Sequence, residues 1–195
     1  MTHVQHHTGF LVVLSGPSGV GKSSVAARLV EDPHFGRAVT ATTRSPRTGE
    51  RDGVDYHFLT RERFLADVAR DAFIEHAEVH GNLYGTPKSS VREVIEAGRA
   101  CLLVIDVQGA ASLRRQGEDA LFVFLAPPSE SALQTRLRSR GTEPPAQLEL
   151  RIRNALHEEL PRAREFDHVV VNDDLARAVA EIKLLVSHRR AQPAV

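Results

Sequence analysis

The stretch GPSGVGKS, residues 16–23, decides the fold of this chain. It has the pattern G-x-x-x-x-G-K-S, in which a glycine-rich loop cradles phosphate groups with its backbone N–H groups. The apolar run 10–14 precedes the loop, and residues 25–30 carry apolar side chains at helical spacing. Strand, loop and helix are the context that this motif requires, so the stretch predicts a site for a nucleoside triphosphate.

Each residue type in the loop has a chemical reason to be there. The glycines let the backbone turn tightly, and the helix that follows places its positive end at the bound anion. Lys22 can reach the β- and γ-phosphates, and the Ser23 hydroxyl can ligate Mg²⁺. The residues predicted to surround the ATP phosphates are Gly16, Pro17, Ser18, Gly19, Val20, Gly21, Lys22, Ser23 and Ser24.

Composition narrows the class of protein. The chain has 195 residues, a formal net charge of zero and 42% apolar residues, which is typical of one soluble domain. A zero net charge predicts neither a nucleic-acid nor a membrane partner, and no obligatory protein partner is expected. The single cysteine, Cys101, lies in an apolar run, which favours a buried, inert thiol. Residues 1–8 lack a signal-peptide pattern and are expected to be a disordered tail, so the expected compartment is the cytoplasm.

Apolar runs that alternate with helical patterns indicate a parallel α/β sheet. The predicted core strands are 10–15, 101–106, 120–126 and 167–172, and helices are expected at 22–31, 108–116, 146–160 and 174–189. The core thus covers about 9–38, 92–127 and 154–190. Residues 39–91 read as a small mixed insert, with helices at 61–70 and 87–97 and strands at 73–79 and 83–86. Residues 128–153 read as a helical lid around a charged loop.

Arginines are placed where they can stabilise a transferring phosphoryl group. Arg44 and Arg47 lie three apart in a polar loop, and their forked donors suit a phosphate. Arg136, Arg140 and Arg151 bracket the charged loop of the lid. Phosphoryl transfer spreads negative charge over the moving group, so positioned cations, including Lys22, are the expected catalytic residues.

Two carboxylates are candidate ligands. Asp106 follows a buried strand, where a carboxylate can hold Mg²⁺ or the nucleotide; the alternative is a helix cap. Glu75 lies in an apolar strand and requires a partner there, which could be a neighbouring arginine or a guanine base. Guanine presents two parallel donors, which adenine lacks, and the hydroxyls of Thr40 and Thr86 could bind its O6 atom.

Further motifs make the chain resemble guanylate kinases along about residues 10–175. Besides GPSGVGKS, they are TTRSPRTGE (42–50), Gly53, YHF (56–58), FIE (73–75), GN (81–82), YGT (84–86), IDVQG (105–109), RGTE (140–143) and VNDD (171–174). The TTRxPRxGE segment is far more specific than a phosphate-binding loop alone.

The resemblance implies an α/β P-loop NTPase fold with a parallel sheet flanked by helices, a GMP-binding insert and a helical lid. It implies a single guanylate kinase-like domain over residues 1–195 that phosphorylates GMP and dGMP with ATP and Mg²⁺. Ser23 and Asp106 would hold the metal. The residues that would bind GMP are Thr40, Arg44, Arg47, Glu50, Tyr56, Glu75, Tyr84, Thr86 and Asp106. Arg136, Arg140 and Arg151 would close on ATP, and Asn172 would contact its adenine side.

The chain departs from the family's pattern at three positions. Thr40 replaces a frequent serine, Leu83 replaces a frequent tyrosine, and Val104 replaces an acidic residue, which leaves Asp106 alone. Two alternative functions remain open at this point. A sugar-phosphate kinase would not need Glu75, because its acceptor has no base to recognise. A non-catalytic phosphopeptide-binding module would not need Lys22 and Ser23.

Overall fold

The computed structural model describes residues 9–79, 81–139 and 144–191. The predicted tail 1–8 and the lid arginine Arg140 lie outside these residues. Among the residues described, no helix is both long enough and apolar enough to cross a membrane.

Strands and helices alternate along most of the chain. The strands are β1 (Phe10–Ser15), β2 (Phe35–Arg37), β3 (Ala41–Thr42), β4 (His57–Phe58), β5 (Phe73–Val79), β6 (Asn82–Pro87), β7 (Ala100–Val104), β8 (Ala120–Ala126) and β9 (His168–Val171). The helices are α1 (Lys22–Leu29), α2 (Arg61–Ala69), α3 (Lys88–Glu96), α4 (Val107–Arg115), α5 (Glu130–Ser139), α6 (Pro145–Asn154) and α7 (Leu175–Ala191). A π-helical turn, Ala155–Glu159, and a 3₁₀ helix, Leu160–Glu165, connect α6 to β9.

A five-stranded parallel sheet in the order β2-β7-β1-β8-β9 forms the core. The central strand β1 is buried on both faces, which explains its continuous apolar sequence. Val12 and Leu14 pack in one core cluster with residues of α1 and α7. Leu11 and Val13 belong to a second cluster with residues of α3 and α4. The α/β class with a parallel sheet flanked by helices is therefore confirmed.

A second sheet, in the order β4-β3-β6-β5, lies within the predicted insert. It has a small apolar cluster of its own, in which the rings of Phe64 and Phe73 stack with centroids 4.5 Å apart. Thr60 caps α2 by accepting a hydrogen bond from the Arg63 backbone N–H, as expected of a threonine before a helix. Ile74 of β5 packs in the core cluster with Leu113 of α4, so this sheet is attached to the core beside the end of β7.

Several elements differ from the prediction for reasons of tertiary packing. The strand expected to reach Asp106 ends at Val104, because the next residues turn into α4. β2 was not predicted, since three residues are too short for a periodic pattern, and it exists through pairing with β7. The helix expected over 146–160 leaves α geometry after Asn154.

The apolar spacing of helices 61–70 and 174–189 predicts that Leu65 and Leu175 face inward, but both are exposed. Leu65 is 50% exposed, because α2 packs through Phe64 and Val68, and the residue after Phe64 points about 100° away. Leu175 is 37% exposed at the first position of α7, whose buried residues begin at Ala178.

Candidate active site

The loop between β1 and α1 adopts a conformation that only glycine accommodates at its key positions. Gly16 has a φ of 141°, and a Cβ there would lie 2.3 Å from the carbonyl oxygen of Leu125. Gly21 has a φ of 102°, and a Cβ would lie 2.5 Å from Nδ2 of Asn172. The backbone of β8 and the side chain of Asn172 thus pack against one side of the loop and fix its backbone. The opposite side of the loop is the predicted position of a phosphate.

Lys22 lies at the start of α1, directly after the loop. Its ammonium group donates hydrogen bonds to the carbonyl oxygens of Gly16, at 2.5 Å, and Pro17, at 3.0 Å. Ser23 and Ser24 follow in the first helical turn and are exposed. The first turn of a helix has backbone N–H groups without intrahelical partners, so cation, hydroxyls and amides converge on one anion site.

A lid residue and a strand-end residue hold the outer side of this loop. Arg136 of α5 donates to the carbonyl oxygens of Val20, at 3.3 Å, and Asn172, at 2.9 Å. The side-chain amide of the buried Asn172 also donates to Val20, at 2.8 Å. Arg151 lies half-buried in the last turn of α6. The predicted contact of Asn172 with adenine stays a prediction, as do the roles of the lid arginines.

A cavity of about 520 Å³ opens between the second sheet and the carboxyl end of β7. Six of the residues predicted for the acceptor nucleotide line it: Thr40, Tyr56, Glu75, Tyr84, Thr86 and Asp106. They come from both sheets and from the start of α4. The structure therefore brings together side chains that are up to 66 positions apart, from Thr40 to Asp106.

Glu75 is the partly buried carboxyl group of this cavity, whereas that of Asp106 is exposed. β5 and β6 pair Glu75 with Thr86, whose hydroxyl donates a hydrogen bond of 2.7 Å to Glu75 Oε1. Burial raises the pKa of the Glu75 carboxyl, the Thr86 hydrogen bond opposes that shift, and the charge of Asp106 adds to it. Keeping the Glu75 carboxyl partly buried thus lowers the stability of the folded protein. Carboxyl groups with such a shifted pKa are typical of binding sites.

Arg44 lies beside the cavity in an ion pair with Glu50. Its Nη2 atom donates to Oε1 of Glu50 at 2.8 Å and to Oε2 at 3.0 Å, while the backbone N–H of Arg47 donates to Oε2 at 2.7 Å. The Arg44 guanidinium is 5.4 Å from the ring centroid of Tyr56. The hydrogen bond to Arg44 lowers the pKa of Glu50, and the same bond raises that of Arg44. Glu50 orients Arg44 and the loop around Arg47, whose side chain is exposed.

Asp106 caps a helix, which was the alternative to a metal role. Its Oδ1 atom accepts a hydrogen bond of 2.7 Å from the backbone N–H of Gly109. The residue is exposed, and it also lines the cavity. In the described part of the chain, no cluster of three or more His, Cys, Asp or Glu could hold a metal. Hydroxyl and carboxylate oxygens in small number suit Mg²⁺, which keeps waters and phosphate oxygens as its other ligands.

Sequence reasoning missed several residues that the topology brings to the site. Arg37, His76, Gln108 and Arg115 also line the cavity. Glu159 accepts a hydrogen bond of 2.8 Å from the backbone N–H of Ser18 in the phosphate-binding loop. Gln108 had a signal, because it belongs to the IDVQG motif. His76 and Arg115 lie in the predicted elements β5 and α4, but no motif marks their side chains. Arg37 and Glu159 depend on β2 and on the π-helical turn, neither of which has a sequence signature.

The fold and the two sites define the class of the protein. A parallel sheet with a phosphate-binding loop after its central strand, and a separate polar cavity beside it, is the architecture of a P-loop nucleoside monophosphate kinase. Within this class, the family model of guanylate kinase matches residues 9–189, and the chain belongs to the guanylate kinase family.

Known proteins agree with this assignment. The chain is 44% identical to a guanylate kinase from Clostridium perfringens (strain SM101) over 93% of its own length and 84% of the relative's. It is 44% identical to a guanylate kinase from Symbiobacterium thermophilum, over 94% of this chain and 87% of the relative. The crystal structure of guanylate kinase from Anaplasma phagocytophilum superposes with a TM-score of 0.71 at 33% identity, covering 95% of this chain and 88% of that one. The family resemblance and the fold expected from the sequence are thus confirmed.

Proposed function

We propose that this enzyme carries out the reaction of its family, ATP + GMP ⇌ ADP + GDP, through the residues of the two sites described above. ATP and GMP are its small-molecule substrates, and dGMP is a further acceptor. The observation that carries the assignment is the partly buried Glu75 carboxyl in a cavity beside the phosphate-binding loop. Two alternatives are not favoured. A sugar-phosphate kinase would not need the Glu75 carboxyl, and a non-catalytic module would not need Lys22.

The donor half binds the ATP phosphates. The loop amides and the Lys22 ammonium surround the β- and γ-phosphates, so Lys22 exchanges its contacts with the Gly16 and Pro17 carbonyls for phosphate oxygens. Mg²⁺, when bound with ATP, neutralises phosphate charge, and Ser23 and Asp106 would hold it. Asn172 supports the loop from behind through Val20.

The acceptor half recognises the base and the phosphate of GMP separately. The Glu75 carboxylate accepts hydrogen bonds from N1–H and N2–H₂ of guanine, and the hydroxyls of Thr40 and Thr86 lie in the same cavity for O6. A second set of residues binds the phosphate, and Glu50 keeps Arg44 oriented for it. The members of this set are Arg44, Arg47, Tyr56 and Tyr84.

The chemical step needs no general base. An oxygen of the GMP phosphate is already ionised; it attacks the γ-phosphorus in line as the bond to the β-phosphate oxygen breaks, and ADP leaves. Arg136, Arg140 and Arg151 stabilise the charge on the moving group together with Lys22. Arg136 already lies at the loop, where it can exchange one of its two carbonyl contacts for a phosphoryl oxygen.

We place this reaction in the cytoplasm. The thiol of Cys101 is buried, and burial raises its pKa to about 11. Such a thiol is a poor partner for a disulfide, which fits a reducing compartment. The zero formal net charge is consistent with small-molecule substrates as its partners.

A coupled assay of ADP release with GMP, dGMP, AMP, UMP and CMP as acceptors tests the proposal. We expect rapid turnover of GMP and dGMP and kcat/KM lower by about two orders of magnitude or more for the other three, because they lack the paired donors that Glu75 requires. Equal rates with all acceptors would rule out guanine recognition. Calorimetric titration with ATP distinguishes an inactive binding module, which should bind ATP weakly.

A further inference from the structure

The phosphate-binding loop has a partner that comes from far away in the sequence. The backbone N–H of Ser18 donates a hydrogen bond of 2.8 Å to Oε2 of Glu159, which is 141 positions further along the chain. Glu159 is the last residue of the π-helical turn between α6 and β9. A carboxylate beside a loop that binds a triphosphate repels the ligand, so its presence requires a compensating role.

The carbonyl end of the same peptide unit is held by Lys22 of the loop. The carbonyl oxygen of Pro17 accepts hydrogen bonds from Lys22 Nζ, at 3.0 Å, and from the Val20 backbone N–H, at 3.3 Å. The Pro17–Ser18 peptide is planar, so its N–H and its C=O cannot turn independently. Glu159 therefore fixes the direction of the carbonyl on which the Lys22 ammonium rests.

Local geometry explains how Glu159 reaches the loop. The backbone N–H of Leu160 bonds to the carbonyl of Ala155, five residues back, which widens the helix by one residue. Pro161 has no N–H to continue the α-helical pattern, so the chain passes into a 3₁₀ helix there. Ala155 is fully buried in the core cluster, which holds the turn in place. The widened turn directs the Glu159 carboxylate to Ser18.

We propose that Glu159 is a positioning residue of the donor site, which orients the Pro17–Ser18 peptide and through it Lys22 for ATP. The inference rests on the proposed function only in taking ATP as the ligand of the loop. A carboxylate that instead competed with the nucleotide for the loop would give the opposite response to mutation, because its removal would strengthen ATP binding.

Four variants test this role by calorimetric titration with ATP in the absence of GMP, followed by steady-state kinetics. Glu159→Ala should weaken ATP binding about tenfold and lower kcat, while the KM for GMP changes less than about twofold. Glu159→Gln keeps an oxygen acceptor and should retain most of the affinity. Glu159→Asp keeps the charge but shortens the reach, so it should behave like the alanine variant. The matched control is Glu158→Ala, an exposed residue of the same turn, which should match the wild type.

Several outcomes would overturn the role of Glu159. Tighter ATP binding by both the alanine and glutamine variants would show competition with the nucleotide, and unchanged binding would show no role. A parallel loss of ATP and GMP affinity, with a lowered Tm, would show a purely structural residue. A failure of the proposed function would give a different result, in which the wild type binds ATP but does not phosphorylate GMP. The ATP affinities of the wild type and the variants would then still test the role of Glu159.

Discussion

We propose that Glu75 combines a cost to stability with a gain in the recognition of guanine. Its carboxyl is partly buried in the acceptor cavity with the Thr86 hydroxyl as its hydrogen-bond donor, and burial raises its pKa. Guanine binding requires the ionised form, because only a carboxylate accepts both donors of the base. GMP would supply hydrogen bonds that compensate the buried charge, which burial disfavours in the free protein.

The raised pKa of Glu75 predicts a pH dependence of stability. Between the ordinary carboxyl pKa and the raised value, the folded protein holds a proton on Glu75 that the unfolded chain has released, so its contribution to stability falls as pH rises. Glu75→Gln is neutral at every pH and should escape this fall. The free energy of unfolding of this variant, relative to that of the wild type, should therefore rise across the window. Urea unfolding at a series of pH values measures the difference, and parallel curves would contradict the prediction.

Lys22 is the cation nearest to the transferring group in this account. Lys22→Ala removes the ammonium that balances the phosphate charge, and we expect kcat to fall by about two to three orders of magnitude. Steady-state turnover measures this, with circular dichroism as the control for folding. Near-normal turnover would show that the lid arginines, not Lys22, supply the decisive charge.

At the scale of elements, the phosphate-binding loop is shaped by its neighbours as much as by its own sequence. Gly16 lies against the β8 backbone, Val20 is held by Arg136 and Asn172, and Ser18 is held by Glu159. A side chain at Gly16 would therefore displace a strand rather than a flexible group.

Alanine substitution at two glycines separates this contact from backbone strain. Gly117 also has a positive φ, 76°, but a Cβ there would meet no atom within 4 Å, so Gly117→Ala should cost only about 1 kcal/mol. Gly16→Ala adds a clash with the Leu125 carbonyl at 2.3 Å and should cost about 3 kcal/mol or more. The free energies of unfolding of both variants are measured relative to the wild type. Equal losses of stability would mean that β8 shifts at little energetic cost.

Elements with a local signal could be predicted, and those made by tertiary contact could not. Residues 10–15 are apolar and precede a motif, so β1 was predicted with its observed bounds. β2 and β4 are three and two residues long and exist through pairing with β7 and β3. The π-helical turn depends on packing after Asn154. In the site, motif residues such as Glu75 and Tyr84 were found, whereas Arg37 and Glu159 arrive through β2 and that turn.

At the scale of the whole molecule, the second sheet has its own apolar cluster, and Ile74 of β5 packs in a cluster of the core. The lid helix α5 touches the loop through Arg136. We infer that the insert, about 39–91, and the lid, about 128–153, move as units against the core. Closure would exclude water from the phosphoryl group and bring the lid arginines to it.

This motion predicts a change in solution scattering. A bisubstrate analogue that links adenosine and guanosine through phosphates should lower the radius of gyration, because it engages both halves at once. ATP alone and GMP alone should give smaller changes. Scattering profiles that coincide with and without the analogue would contradict closure.

The recognition of guanine by the Glu75 carboxylate is the central claim, and the affinity of Glu75→Gln for both nucleotides tests it most directly. The amide cannot offer two acceptor oxygens and turns a donor toward guanine, so calorimetry should show GMP binding weakened by about tenfold or more. ATP binding should stay within about twofold of the wild type, since the loop is untouched. Equal weakening of both nucleotides, or unchanged GMP binding, would contradict the claim and make Glu75 a structural residue.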